Sequence, residues 1–153
     1  MTGSLSPLRA VGAGLASGAA GTAAMTAAQT IYYKKTGRQP SSTPAEVAKR
    51  VIRGVFQRDV PEERTDLLNN VAHWTYGTSW GVAYGIVAGS TCPRTPGAAV
   101  ALGLTVWGAS LVELPAMKLA PPVWEYDPVT LATDVGFHLV YGLAAATAFR
   151  LLA

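Results

Sequence analysis

Charge is what this chain is short of. Acidic and basic residues make up 14% of its 153 positions, against about 25% in a soluble domain, and the shortage is local. No Asp, Glu, Lys or Arg occurs from Ala10 to Tyr33, from Leu67 to Pro93 or from Thr95 to Val112, and between Pro128 and Phe149 only Asp134 intervenes. A chain of this length cannot bury four such blocks on every face, which argues against an ordinary soluble helical domain. Cysteine is nearly absent as well. Cys92 stands alone, so an intrachain disulfide and a cysteine-based metal cluster are both excluded. The sequence also lacks a nucleophile elbow, a P-loop, an H-E-x-x-H pair and a dinucleotide fingerprint, which leaves an enzymatic reading little support.

What is present is apolar. Half of the residues are hydrophobic and the mean hydropathy is +0.26. A spanning helix needs roughly 20 such residues, and the pattern predicts helices over about 8–33, 66–89, 97–117 and 129–151. The expected fold is an all-α membrane protein: one domain, a four-transmembrane-helix bundle. The first apolar run, after Arg9, is Gly/Ala-rich and poor in Leu, so it reads as a retained spanning helix rather than a signal peptide. A tight reversal is expected at 90–96, where prolines stop helices. The connector at 120–128 is Pro-rich and aromatic, as suits the headgroup level.

Basic residues set the expected orientation. Lys34, Lys35, Arg38, Lys49, Arg50, Arg53, Arg58 and Arg64 all lie in the first connector, and Lys118 opens the third. Positive charge concentrates in cytoplasmic loops, so residues 34–65 and 118–128 are placed in the cytoplasm and both termini outside an inner (plasma) membrane. The net charge of +3 then requires no nucleic-acid partner.

Within the first connector, Thr43 as N-cap, Pro44 and Glu46 start a short basic helix over about 44–58. Val47, Val51, Ile52, Val55 and Phe56 fall on one face, with Lys49, Arg50, Arg53 and Arg58 off it. Two readings stand: an interfacial helix whose Lys49, Arg50 and Arg53 meet anionic lipid headgroups, or a cap packed on the bundle.

Two helices share H-x-x-Y-G: His73, Tyr76 and Gly77 in the second, His138, Tyr141 and Gly142 in the fourth. An i,i+3 spacing puts His and Tyr on one face, and the recurrence suggests two helical hairpins related as a parallel repeat. Depth joins these residues to others. His73 lies about 10 Å in from the cytoplasmic end at 1.5 Å per residue, His138 lies similarly deep, and Glu113, Asp134, Asn70 and Gln29 fall in the same half. Ionisable groups in a bilayer usually face the bundle interior, paired or wet, so a cytoplasm-facing polar pocket or proton relay is expected, with Glu113 and Asp134 partnering the histidines. The alternative is a purely structural lock. Pro115 is expected to kink the third helix beside Glu113.

Glycine recurs every fourth residue at Gly77, Gly81, Gly85 and Gly89, and at Gly14 and Gly18 in the first helix. Such faces drive close packing in lipid. They predict tight packing within the chain or, alternatively, a homo-oligomer.

The run Gly14, Gly18, Gly21, Thr22 and Met25, the H-x-x-Y-G of the second helix and the short basic helix Pro44 through Arg53 together resemble the YagU-type family of small bacterial inner-membrane proteins. The resemblance implies an inner-membrane location and a part in acid tolerance, and supplies no catalytic residues. Three functions are carried forward. The first is an accessory or scaffold subunit of a larger membrane complex. The second is a proton or small-solute permeation protein. The third is a metal or haem protein, with His73 and His138 as ligands of a b-type haem or, with Glu113 and Asp134, of a divalent metal.

Overall fold

A computed structural model describes residues 5–91 and 96–153, and among these there are five α-helices and no strand. They are α1 (Pro7–Thr36), α2 (Thr43–Phe56), α3 (Thr65–Thr91), α4 (Pro96–Ala116) and α5 (Pro128–Leu152). Single 3₁₀ turns at Glu62–Arg64 and Val123–Glu125 complete the connectors. Most of the reversal expected at 90–96, with Cys92 and Arg94, lies outside the described residues.

The charge-poor blocks became helices because nothing inside them breaks one, and they end where Pro and Gly intervene. Gly37, at φ 69°, takes the left-handed position that closes α1, and its N–H reaches the Tyr33 carbonyl. Pro115 stands inside α4, one residue before its end. The carbonyls of Glu113, Leu114 and Pro115 are taken by the N–H groups of Met117, Leu119 and Lys118. The cap of α2 also departs from expectation. Ser42 rather than Thr43 is its N-cap, with no side-chain bond to the helix.

At the start of α5, Asp127 accepts from the N–H groups of Val129 and Thr130, each at 3.0 Å, and from the Thr130 hydroxyl. The hydroxyl bond first, and then the Thr130 N–H, hold the carboxyl below its ordinary value of 3.8. A depressed carboxyl contributes stability above that value, and loses it as pH falls through the lower folded one. Asp127→Ala should therefore lower the melting temperature at neutral pH. The gap to wild type should close in acid, as read by circular dichroism; a gap that persists in acid would refute the cap.

The close helix pairs are α1–α3, α1–α5, α4–α5 and α2–α3. Ala10 lies against Gly85 and Gly14 against Gly81, so α1 and α3 are antiparallel; the Leu5 N–H donates to the Gly89 carbonyl at the same end. Gly103 meets His138 and Leu139 while Ala99 meets Gly142, so α4 and α5 are antiparallel too. Both long connectors therefore leave from one end. Gly77, Gly81, Gly85 and Gly89 all face α1: a Cβ on Gly81 would sit 2.5 Å from the Gly14 carbonyl and the Gly18 nitrogen, and one on Gly77 would strike Thr22 Oγ1. Within the chain, all four glycines of α3 are thus turned to α1. Gly142 approaches the Gly103 backbone in the same way, so the glycine of each H-x-x-Y-G packs on a neighbouring helix.

The core clusters around Met25, Leu102, Val106, Tyr141 and Ala145, with Trp80, Tyr84 and Phe137 packed against it. A second group joins Ala13, Ala88 and Phe149 at the other end. Large apolar side chains remain exposed on the outer faces, among them Val100, Leu104 and Val112 of α4 and Leu143 and Leu151 of α5.

Four spans were expected, but among the described residues only Gly97–Ala116 and Pro128–Leu152 are both long and apolar enough to cross a membrane. α1 and α3 have the length without the hydropathy. Along α1, only Leu8, Val11, Leu15, Met25 and Ile31 are large aliphatic or thioether side chains; Ala, Gly, Ser and Thr fill most of the rest. The cause is packing: α1 lies between α3 and α5, where small residues allow backbone contact and large ones would not fit.

Candidate functional site

The polar side chains of the spanning-length helices meet in the half of the molecule nearest the two long connectors. Four bonds cross between helices there. His73 Nε2 lies 3.2 Å from Thr26 Oγ1, joining α3 to α1. The Tyr76 hydroxyl donates to Glu113 Oε2 at 2.9 Å, joining α3 to α4. The Trp107 indole N–H donates to Asp134 Oδ2 at 3.0 Å, joining α4 to α5. The Tyr141 hydroxyl donates to the Gly77 carbonyl at 2.6 Å, joining α5 to α3.

Each bond follows from local sequence. On α3, His73, Tyr76, Gly77 and Trp80 follow one another at helical i,i+3 and i,i+4 spacing. Tyr76 and Trp80 meet edge to face at 6.1 Å. On α5, Asp134, His138 and Tyr141 rise up one side. His138 Nδ1 sits 2.8 Å from the Asp134 carbonyl oxygen and 3.6 Å from its carboxylate.

The pairing differs from expectation in detail. Asp134 does stand beside His138, but it accepts from Trp107 as well. Glu113 reaches Tyr76 and no histidine. His73 takes Thr26 in place of a carboxylate. Asn70 is exposed and donates to the Asp66 carbonyl of its own helix. Gln29 is half-buried and makes no hydrogen bond among the described residues. The hydroxyls of Ser17, Thr22 and Thr30 turn back to carbonyls of α1, the usual solution for a hydroxyl inside a helix.

Trp107 is the member that sequence reasoning did not assign to the cluster. For Trp107 a signal existed, because an indole N–H in an apolar helix needs an acceptor, and Asp134 is the only acid in the neighbouring apolar block.

Among the described residues no three His, Cys, Asp or Glu side chains converge to hold a metal ion. The expected divalent site from both histidines, Glu113 and Asp134 is therefore not formed. Glu113 is turned to Tyr76 and Asp134 to Trp107. A haem iron at His73 would compete with Thr26 for Nε2.

Two cations of α2 are matched within the chain. Lys49, only 18% exposed in its side chain, bridges Glu46 at 3.3 Å and Glu62 at 3.0 Å. The bond to Glu62 raises the Lys49 pKa above its ordinary value, and the same bond lowers that of Glu62. Arg53 pairs with Asp59 at 2.6 Å. Of the three basic residues expected to face lipid headgroups, Lys49 and Arg53 are thus neutralised within the chain and Arg50 is not.

No protein-family model, no curated protein and no solved structure matches this chain, so the resemblance drawn above rests on its motifs alone.

Proposed function

We propose that this is a four-span inner-membrane protein of the scaffold or accessory type, in which the His/Glu/Asp cluster fastens the bundle. One observation carries the reading. The cross-helix bonds Tyr76–Glu113, Trp107–Asp134 and Tyr141–Gly77 close a ring through α3, α4 and α5, and His73–Thr26 ties α1 to it. Each ends on a partner within the chain. In lipid a polar side chain has no water to fall back on, so such bonds hold helices together.

The membrane part of the proposal is supported by the outer faces of α4 and α5. A buried core helix of a soluble protein would cover residues such as Val100, Leu104, Val112 and Leu143, whereas here they are exposed. α1 and α3 complete the four spans because their small residues meet helix rather than lipid, in the manner of a glycine zipper. Both long connectors leave one end, and their Lys and Arg put that end in the cytoplasm.

A double-mutant cycle tests the structural role. Tyr76→Phe and Glu113→Gln should each lower thermal stability in detergent, with a coupling of about 1 kcal/mol, as for interhelical bonds in lipid. His73→Ala should lower stability without changing proton flux in proteoliposomes. A second reading is proton handling, since His73 and His138 both belong to the polar half of the bundle. That reading wins if wild-type liposomes conduct protons and His73→Ala liposomes, still folded, do not.

A further inference from the structure

The amphipathic helix α2 is fastened at one end only. Ala45, 0% exposed, is buried against the bundle. Its N–H donates to Asn69 Oδ1 at 3.0 Å, while Asn69 Nδ2 donates to the Ser41 carbonyl at 3.2 Å. Asn69 therefore clamps the first turn of α2 onto the first turns of α3. Beyond that turn the contact thins, with Lys49 still reaching Glu62 at 3.0 Å. Val47 and Ile52 are half-buried, whereas Val51, Val55 and Phe56 are open, the last two at 67% and 66%. Val51 and Val55, four residues apart, share one face, and Phe56 widens that face by about 100° beyond Val55. Arg50 borders them and Arg58 follows the helix end; neither makes an ion pair among the described residues.

We propose that the free C-terminal half of α2 is a contact surface for anionic phospholipid in the same membrane that the bundle spans. In it Val51, Val55 and Phe56 enter the acyl boundary, and Arg50 and Arg58 meet the phosphates. This rests on the membrane reading above. Two features favour lipid over a second protein copy. Three partly exposed side chains fall well short of the roughly 800 Å² per partner that a stable interface buries. In addition, the connector from Lys34 to Asp66 carries eight basic residues against five acidic ones, Glu46, Asp59, Glu62, Glu63 and Asp66. Lys49 and Arg53 are matched internally, which leaves Arg50 and Arg58 as the unpaired cations next to the open residues in the chain. An apolar face bordered by unpaired cations is the pattern of helices that lie in the headgroup region. The clamp at Asn69 sets the height: it ties α2 to the first turns of α3, at the end of the bundle from which the connectors emerge.

The test uses the full chain in nanodiscs, in a Cys92→Ser background. Val55→Cys and Leu143→Cys are each labelled with an environment-sensitive fluorophore, and quenched by lipids labelled at shallow or deep positions. Leu143, exposed on the outer face of α5, reports whether the bundle spans at all. The expected result is deep quenching at position 143 and shallow quenching at position 55. The latter should be stronger in discs containing phosphatidylglycerol than in pure phosphatidylcholine. Replacing Arg50 or Arg58 by Gln should shift the bound-to-free ratio at position 55 about fivefold each. If position 143 is not quenched, the membrane reading itself fails. If position 143 is quenched while position 55 is open to aqueous iodide, α2 does not bind lipid. Quenching at position 55 that ignores lipid charge and both arginines overturns the anionic preference. Protection from lipid and iodide alike would assign the stripe to a protein partner instead.

Discussion

Gly81→Ala should destabilise this protein by about 3 kcal/mol, the upper end for inserting a methyl group into a packed core. The new Cβ would lie 2.5 Å from the Gly14 carbonyl oxygen and from the Gly18 nitrogen, both backbone atoms of α1. Neither can rotate away, so α1 and α3 must separate along the seam where their backbones touch. Helix propensity works the other way, since Ala is favoured over Gly by up to about 1 kcal/mol in a helix interior. The propensity term is isolated at Gly136 of α5, where an added Cβ meets nothing within 4 Å. Gly136→Ala should therefore be neutral or slightly stabilising. Thermal melts of both variants in one detergent decide the matter; equal melting temperatures would show that the glycine seam is not a close backbone contact.

Tyr141→Ala should have an effect of similar size for a different reason. Tyr141 is 2% exposed. Its ring lies over Gly21, where an added Cβ would come within 2.8 Å of Cδ2, and it packs with Met25, Leu102, Val106 and Ala145. Aromatic truncation in a core costs about 3–5 kcal/mol. In lipid the transfer part of that cost is small, because tails are as apolar as the core. What remains is the lost packing of the cavity, so about 3 kcal/mol is expected. Tyr141→Phe keeps the ring and removes only the bond to the Gly77 carbonyl, an oxygen at 2.6 Å, for about 1 kcal/mol. If Phe proved as damaging as Ala in equilibrium unfolding, the hydroxyl rather than the ring would be holding α5 to α3.

The helices and their ends were legible because charge, Gly and Pro mark them in the sequence. The expected segment 97–117 and the observed Pro96–Ala116 differ by one residue at each end. The shared depth of His73, His138, Glu113 and Asp134 was legible too, since residue number fixes distance along a helix. Which side chain meets which was not. A helix pattern gives height and face, but the rotation of one helix against another is set by packing. Glu113 lies at the level of both His73 and Tyr76, and only the turn of α4 about its own axis decides that Tyr76 receives it. Likewise, the number of ordinary spans could not be read from the absence of charge. α1 is uncharged along most of its length yet small-sided, with one face packed on α3 and α5, whereas α5 carries only Asp134 and Arg150 and exposes several Leu and Val side chains.

Gly77 and Gly81, four residues apart on one face, differ in how they can change over evolutionary time. A side chain at Gly77 would meet the Thr22 hydroxyl, so a lineage that enlarges position 77 has a remedy in shrinking position 22. At Gly81 the neighbours are the backbone of Gly14 and Gly18, residues with no side chain left to give up. No second substitution can make that room, so drift along this seam is closed at its centre and open at its edge.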